Sequence, residues 1–145
     1  MESRYINGVR VYAPRSRDDL ISHAFKSQSA LVAVNAEKIL HATDEMRNII
    51  NQNVGYPDGV GAVVALKKKG MSNAMKIPGC ELWLDIIRTC CSEKKFYLIG
   101  GFSGVIDATV RGLRRDFPDI KIVGHRDGYL SSADSLALLL KDVQI

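Results

Sequence analysis

Short apolar runs alternate with segments of helical periodicity along most of this chain, and this alternation constrains its fold more than any other feature. Leu31–Val34, Phe96–Ile99 and Ile120–Val123 each have the length and apolar character of a buried strand. Segments whose apolar residues recur at helical spacing follow these runs. Strand–helix–strand repetition with short connections predicts an α/β fold with a mainly parallel sheet flanked by helices.

Three further segments complete this prediction. Asn7-Gly8 lies between two β-prone runs within residues 5–12, which predicts a small N-terminal β-hairpin. After Asn35 we expect one helix, which carries Ile39, Leu40, Met46, Ile49 and Ile50. Residues 54–59 are rich in turn-forming types, but Pro57 favours an extended Tyr56, so we expect a strand-like segment before Asp58. Asp58-Gly59 then permits a sharp turn into the next helix.

Length and charge limit the classes of protein open to this chain. Its 145 residues predict a single α/β domain over 1–145. The start resembles no signal peptide and no apolar run is long enough to cross a membrane, so we expect a cytoplasmic protein. A net charge of +4 is mild and its basic residues are scattered, apart from Lys67–Lys69. Such a charge can favour anionic partners but identifies none of them. We expect no nucleic-acid partner, and a homo-oligomer stays open.

The cysteines and histidines predict neither a disulfide framework nor a metal site. There are three cysteines, two of them adjacent, and no CxxC pair. The three histidines, His23, His41 and His125, are far apart in sequence. We interpret the cysteines as small core or near-surface residues of a reduced protein.

Polar and glycine-rich turns follow the predicted strands, where open α/β sheets bind ligands. Because the carboxyl ends of parallel strands share one edge of a sheet, we expect these turns to converge on one crevice. The four turns are residues 35–37, 57–59, 100–104 and 124–129.

Two of these turns allow both a functional and a purely structural interpretation. Gly100-Gly101 begins a GGxxG turn between a strand and a helix, where backbone amides suit a phosphate. The spacing differs from GxGxxG, and a tight turn alone also needs glycine. Asp58 precedes a helix and suits a general base, but the residues alone favour a helix cap. Asn35 is open to the same cap interpretation.

The remaining candidates are equally open. Asp127-Gly128 is a common turn dipeptide, and its turn chemistry alone explains it. Lys76, in the loop over residues 70–79, is either a solvated lysine or a phosphate contact. Tyr129 either stacks on a base or packs against the sheet edge.

Five segments in this order resemble the TagA/WecG/CpsF glycosyltransferases, glycosyltransferase family 26. The resemblance runs from about residue 5 to the end of the chain, and it rests on spacing as well as on residue types. The segments are Val32–Lys38, Pro57–Gly59, Ile77–Trp83, Leu98–Gly101 and Val123–Tyr129.

The resemblance implies an activity and a fold. Members of this bacterial family are similar to Rossmann-type proteins and transfer a sugar, with inversion, from a UDP-sugar to a polyprenyl-diphosphate-linked acceptor. The sugars are N-acetylmannosamine or its uronic acid, and the acceptor is undecaprenyl-diphosphate-N-acetylglucosamine in cell-envelope polysaccharide synthesis. We therefore expect no cofactor or metal requirement, and work at the inner membrane surface.

The resemblance also implies roles for individual residues. Asp58 matches the proposed catalytic base, and Asn35 matches a pocket asparagine. Lys76 stands where many members have arginine, so it keeps the charge without the forked geometry. Gly100 and Gly101 are then donor-site groups. Asp127, Gly128 and Tyr129 complete the candidate substrate-binding set.

Family members continue with another strand, a Ser-Pro-Lys-Gln-Glu-like motif and a basic segment. The resemblance therefore implies that the chain carries the N-terminal part of a longer fold. Two other functions stay open: a truncated nucleotide-binding module with impaired catalysis, and an NAD-type Rossmann oxidoreductase. The late position and the spacing of the glycine turn argue against the oxidoreductase.

Overall fold

The computed structural model describes residues 1–143, which form seven helices and six strands in that range. These residues divide into two compact units, with the boundary between Asp85 and Ile86. The single α/β domain over residues 1–145 stays a prediction. The first unit begins with β1 (Ser3–Ile6), β2 (Val9–Tyr12), α1 (Arg17–Ser27), β3 (Leu31–Val34), α2 (Ala36–His41), α3 (Asp44–Gln52), β4 (Val54–Pro57) and α4 (Val60–Lys68). The boundary lies within α5 (Gly79–Cys90), and β5 (Lys95–Ile99), α6 (Ser103–Asp116), β6 (Lys121–Arg126) and α7 (Ala133–Val143) follow.

The N-terminal hairpin and the first parallel pair are as predicted. β1 and β2 pair antiparallel around Asn7 and Gly8, both of which have positive φ. That conformation suits a two-residue hairpin turn, which explains why Asn-Gly marks it. β3 pairs parallel with β4, from Leu31 opposite Val54 to Val34 opposite Pro57.

The strand-like segment expected before Asp58 is the buried strand β4, Val54–Pro57, although its residue types are those of turns. Gly55, a turn-forming type in sequence, is needed here for close packing. A Cβ on Gly55 would lie 2.7 Å from the Arg10 carbonyl oxygen and 2.9 Å from Cγ2 of Ile50. Glycine in this strand therefore lets β4 approach β2 and α3 closely.

The prediction of one helix after Asn35 is wrong, because the segment forms α2 and α3. Ala42 leaves the helical conformation, and the Thr43 hydroxyl accepts a hydrogen bond from the Met46 amide at 3.2 Å. This N-cap starts a new helix. Ile39 and Ile50 can then both be buried in the core.

The core of the first unit is one apolar cluster beneath the hairpin and the β3–β4 pair. It draws on β2 of the hairpin, the end of β3, the helices α2 to α4 and the loop after α4. Its buried members are Val9, Val11, Val34, Ile39, Ala42, Ile50, Ala62, Leu66, Met71 and Ala74.

The second unit is built on the parallel pair β5–β6. Its buried residues include Ile106, Val110 and Leu113 on α6, and Leu139 on α7. The sequence predicts a turn from Gly124, but β6 extends to Arg126. A Cβ on Gly124 would lie 2.5 Å from the Tyr97 ring, so the glycine leaves room for this ring against β6.

The predicted fold class is confirmed. Within residues 1–143 the chain combines helices with two parallel strand pairs and an N-terminal antiparallel hairpin. In the same range, no helix has both the length and the apolar character needed to cross a membrane.

Candidate functional site

Asn35 and Asp58 lie at the same end of the β3–β4 pair, because each residue directly follows one of the two strands. The pairing ends with Val34 opposite Pro57. The Asp58 amide then donates a hydrogen bond to the Val34 carbonyl at 2.9 Å, which extends the ladder by one step. The structure therefore brings the first two predicted turns together at one strand edge.

The Asp58 carboxylate is held by a segment that returns to the strand end. The Ile77 amide donates to the Pro57 carbonyl at 2.9 Å, and the Gly79 amide donates to Asp58 Oδ1 at 3.0 Å. Gly79 begins α5, so this amide is among the first of a 12-residue helix. The positive end of a helix dipole favours a carboxylate at that place.

This contact bears on the cap interpretation of Asp58, which the residues alone favoured. The helix that follows, α4, begins after Gly59 and has no side-chain hydrogen bond at its cap. The cap interpretation is therefore wrong, because the half-buried carboxylate reaches a different helix. Only Oδ1 is used by Gly79, which leaves Oδ2 as a candidate proton acceptor.

Tyr56, in β4, also lies close to Gly79. Its side chain is 4% exposed, and burial together with the Asp58 charge raises the pKa of Tyr56 to about 12. A Cβ on Gly79 would lie 2.9 Å from the Tyr56 hydroxyl oxygen and 3.9 Å from Asp58 Oδ2. The hydroxyl thus stays protonated at neutral pH, close to the carboxylate.

Asn35 serves as a helix cap. Its Oδ1 accepts a hydrogen bond from the Lys38 amide at 3.0 Å, at the start of α2. The side chain is half-buried, and its amide nitrogen is not used in this cap. A pocket role for Asn35 therefore concerns its NH₂ group.

The backbone next to Lys76 fixes the position of this residue at the end of β4. It is exposed and directly precedes Ile77, whose amide is fixed to the end of β4. The position keeps the ammonium in solvent while its Cα stays at the strand edge. Such a lysine suits contact with an anion as a point charge.

Two ion pairs connect α5 to the start of α1. Arg17, the first residue of α1, pairs with Glu81 and with Asp85, the latter at 2.7 Å. Both carboxylates raise the pKa of Arg17. Because Glu81 lies in the first turn of α5, this pairing helps fix the helix that carries Gly79.

The second unit holds the other two predicted turns, and they pack directly on each other. The Gly100 amide donates to the Arg126 carbonyl at 3.2 Å, and the Gly128 amide donates to the Gly101 carbonyl at 3.0 Å. Gly101 has φ +65°, which disfavours other residues. A Cβ on Gly128 would lie 3.2 Å from the Gly100 Cα. The close approach of the two turns therefore depends on Gly128, and the backbone conformation of the first turn depends on Gly101.

Asp127 and Tyr129 have separate structural roles in this turn. Asp127 Oδ1 accepts a hydrogen bond from the Tyr129 amide at 2.9 Å, which is the turn chemistry expected of Asp-Gly. The Tyr129 ring stacks on Phe102, with ring centroids 4.8 Å apart. Tyr129 is 58% exposed, so it does not pack into the sheet edge as one interpretation predicted.

The start of α6 supplies backbone amides beside this turn. Phe102 precedes the helix, no side chain caps it, and its first turn contains no acidic residue. The arrangement of uncapped amides and glycine turn suits a phosphate group.

Two further features of the described residues bear on ligands. No group of three His, Cys, Asp or Glu residues within 1–143 could hold a metal ion. A cavity of about 700 Å³ lies in the first unit, between the chain start, the end of β2 and residues 70–74. None of the predicted site residues lines this cavity.

The chain matches the Glycosyl transferase WecG/TagA/CpsF family over residues 6–144. This match spans nearly the whole sequence, and the chain belongs to this glycosyltransferase family. The family resemblance stated from the five segments is therefore confirmed. Membership supports a glycosyltransferase role in cell-surface polysaccharide synthesis.

Three residues that lie against the candidate site residues were not predicted from the sequence. Gly79 lies within one of the family-like segments, but nothing in its neighbours shows that its amide meets Asp58. Tyr56 has the apolar surroundings of a core residue. Phe102 lies within the glycine turn itself, and an aromatic residue between glycines was the signal that could have drawn attention to it.

Proposed function

We propose that the protein is an inverting glycosyltransferase. It transfers N-acetylmannosamine, its uronic acid or a related sugar from a UDP-sugar to undecaprenyl-diphosphate-linked N-acetylglucosamine. One observation carries the proposal: the Asp58 carboxylate, held through one oxygen by the Gly79 amide at the end of β4. Family membership supports the class of reaction.

Asp58 is the general base in this proposal. Its Oδ2 takes the proton from the acceptor hydroxyl while that oxygen attacks the anomeric carbon. Attack comes from the face opposite UDP, so the new glycosidic bond has inverted configuration. The bond between the anomeric carbon and the diphosphate oxygen breaks, and UDP leaves with the electron pair. The Gly79 hydrogen bond keeps the carboxylate oriented throughout.

The donor-binding groups offset the charge of the leaving diphosphate. The Gly101 amide and the uncapped amides at the start of α6 donate to phosphate oxygens, Gly100 shapes the turn that presents them, and Lys76 adds a positive charge. Asn35 contributes its NH₂ group, and Asp127, Gly128 and Tyr129 complete the set. The UDP-sugar is the only small-molecule partner in this scheme, and we expect a chelator to leave the rate unchanged.

The acceptor places the reaction at a membrane surface. A polyprenyl chain remains in the bilayer, so the protein works as a peripheral protein on the cytoplasmic face of the inner membrane. Its net charge of +4 suits the anionic surface there.

The Asp58→Asn variant tests this function. Asparagine keeps an oxygen for the Gly79 amide but cannot take a proton. With UDP-N-acetylmannosamine and a lipid-linked N-acetylglucosamine acceptor, we expect kcat for UDP release to fall by about 10²- to 10⁴-fold. The Kd for UDP should change little.

Asp44→Asn is a matched control, because it removes an exposed carboxylate at the start of α3. It should leave UDP release unchanged. Wild-type release rates in Asp58→Asn would remove the catalytic role of Asp58. UDP binding by the wild type without release from any UDP-sugar would instead favour a nucleotide-binding module.

A further inference from the structure

Trp83, the only tryptophan of the chain, lies at the surface of the first unit. It is the fifth residue of α5, one helical turn after Gly79, whose amide holds Asp58. Four residues of an α-helix rise about 6 Å along its axis, so this side chain begins close to the candidate base. Trp83 is 38% exposed, although tryptophan is a highly buried residue type on average. Its exposure at this place points to a ligand.

A hydrogen bond fixes the Trp83 ring against the first turn of α5. The indole N–H donates to the Cys80 carbonyl at 2.8 Å. Helical side chains lean toward the N-terminus of their helix, so the ring lies over the turn that begins with Gly79. The same turn faces the end of β4, where Cys80 acts on Tyr56 through its charge. The ring is thus positioned before any ligand binds, which lowers the entropic cost of contact with it.

The exposed part of the Trp83 ring suits an apolar partner. The indole N–H is its one hydrogen-bonding group, and the Cys80 carbonyl already accepts it. The face of an aromatic ring is electron-rich, so it attracts groups with a small positive charge. The axial C–H groups of a pyranose have such a charge and form a flat apolar face. A sugar can therefore stack on Trp83 while its hydroxyl groups reach the neighbouring carboxylate.

The two sugars of the proposed reaction differ in how well they suit this ring. N-acetylglucosamine carries all of its ring substituents equatorially, so both faces of its pyranose expose C–H groups. In N-acetylmannosamine the N-acetyl group is axial and covers one face. The acceptor sugar must also bring its hydroxyl group to Asp58, because that carboxylate takes its proton in the proposed function. Both arguments favour the acceptor sugar over the donor sugar at Trp83.

We propose that the Trp83 ring stacks the N-acetylglucosamine ring of the acceptor and so holds its nucleophilic hydroxyl group at Asp58. The inference rests on the proposed function, because it takes Asp58 as the base. It adds a subsite for the acceptor sugar, formed on the first turn of α5. It also gives Trp83 a role in selecting an acceptor whose ring substituents are equatorial.

Intrinsic fluorescence tests this subsite without turnover, since Trp83 is the only tryptophan. Titration with N-acetylglucosamine diphosphate on a short, water-soluble alkyl chain should change the emission until it saturates. Vesicles of anionic phospholipid without acceptor should leave the emission unchanged. A response to the vesicles and none to the soluble acceptor would assign the ring to the membrane surface and overturn the inference.

Steady-state kinetics of UDP release with the same acceptor gives the second test. Trp83→Ala should raise KM for the acceptor by about 3- to 30-fold, because a well-placed aromatic contact is lost. KM for UDP-N-acetylmannosamine should stay at the wild-type value. Trp83→Phe keeps an aromatic face but loses the hydrogen bond to Cys80, and its acceptor KM should stay within about threefold of the wild type.

Tyr5→Ala is the matched control, because Tyr5 is an exposed aromatic residue of the same unit but lies on β1. It should change neither KM. An acceptor KM as high in Trp83→Phe as in Trp83→Ala would show that the ring only anchors α5, and would overturn the inference. Unchanged acceptor KM in Trp83→Ala would overturn it too, with the proposed function intact. Absence of acceptor-dependent UDP release in the wild type would remove the proposed function and this inference with it.

Discussion

The Gly79 amide donates a hydrogen bond to Asp58 Oδ1 at 3.0 Å, across 21 positions of sequence. The same glycine lies against the Tyr56 hydroxyl, where a Cβ would come within 2.9 Å. One residue without a side chain therefore orients the proposed base and leaves room for a buried tyrosine beside it.

Gly79→Ala should destabilise the protein and slow the reaction. The new methyl group meets the hydroxyl of a tyrosine that is 4% exposed, and a buried ring has little freedom to move. Overpacking of this kind costs about 1–3 kcal/mol. We expect a lower free energy of unfolding in urea and a lower kcat, because Asp58 loses its fixed orientation.

Two further variants make this prediction specific. Tyr56→Phe removes the hydroxyl, so adding Gly79→Ala in that background should cost much less than in the wild type. Gly59→Ala is the spatial control, since its Cβ would lie 3.7 Å from the nearest atom, the Asn35 Cβ. Equal costs of Gly79→Ala in both backgrounds would contradict the proposed clash.

Tyr56 should make stability depend on pH in the alkaline range. Its pKa is raised from 10.0 to about 12 in the folded state, so folding favours the protonated hydroxyl. That contribution is fully present below pH 10 and is lost as pH rises through about 12. The loss is at most about 3 kcal/mol.

Urea unfolding of wild type and Tyr56→Phe between about pH 10 and pH 12 measures this dependence. The wild type should lose more stability across the range than the variant does. Tyr97, whose pKa is also raised by burial and by Asp142, contributes equally to both proteins. Parallel pH profiles would show that the Tyr56 hydroxyl titrates normally.

Asn35→Ala should weaken both stability and donor binding. Loss of the cap on α2 costs about 1 kcal/mol. Thr43→Ala removes a comparable cap from α3 and should cost a similar amount. Only Asn35→Ala should also raise KM for the UDP-sugar, because Asn35 lies beside Asp58. A rise in KM of the same size in Thr43→Ala would assign the effect to stability alone.

Gly128→Ala should weaken UDP binding by displacing the glycine turn. Its Cβ would press on the Gly100 Cα at 3.2 Å, and backbone atoms cannot rotate away as a flexible side chain can. Gly112→Ala, in α6, meets no atom within 4 Å and should stabilise the protein by about 0.5–1 kcal/mol. Calorimetric titration with UDP compares the two. Wild-type affinity in Gly128→Ala would show that the turn tolerates a side chain.

Local signals explain why much of the fold was predictable from the sequence. The Asn-Gly hairpin turn, the apolar run of β3 and the glycine turn after β5 each depend on neighbouring residues alone. Local signals are ambiguous where a distant contact decides the conformation. Gly55 marks close packing against β2, and Gly124 makes room for Tyr97, yet both resemble turn residues in sequence.

The candidate site shows the same division. Sequence patterns place Asn35 and Asp58 at the ends of neighbouring strands, and the structure confirms that arrangement. The partner of the Asp58 carboxylate was not predictable, because Gly79 reaches it only after α4 and the loop that follows. The stacking of Phe102 on Tyr129 likewise joins two turns that are 27 positions apart.

The two hydrogen bonds that join residues 77–79 to the end of β4 also have an evolutionary consequence. They fix both ends of the segment between Asp58 and Ile77, which consists of α4 and the loop after it, at the same place. Lengthening such a loop costs little entropy, since the cost grows only with the logarithm of its length. Insertions near the exposed residues Ser72 and Asn73 can therefore accumulate without moving the carboxylate. We therefore expect the loop after α4 to tolerate changes of length at residues 72–73 with the geometry of Asp58 and Gly79 unchanged.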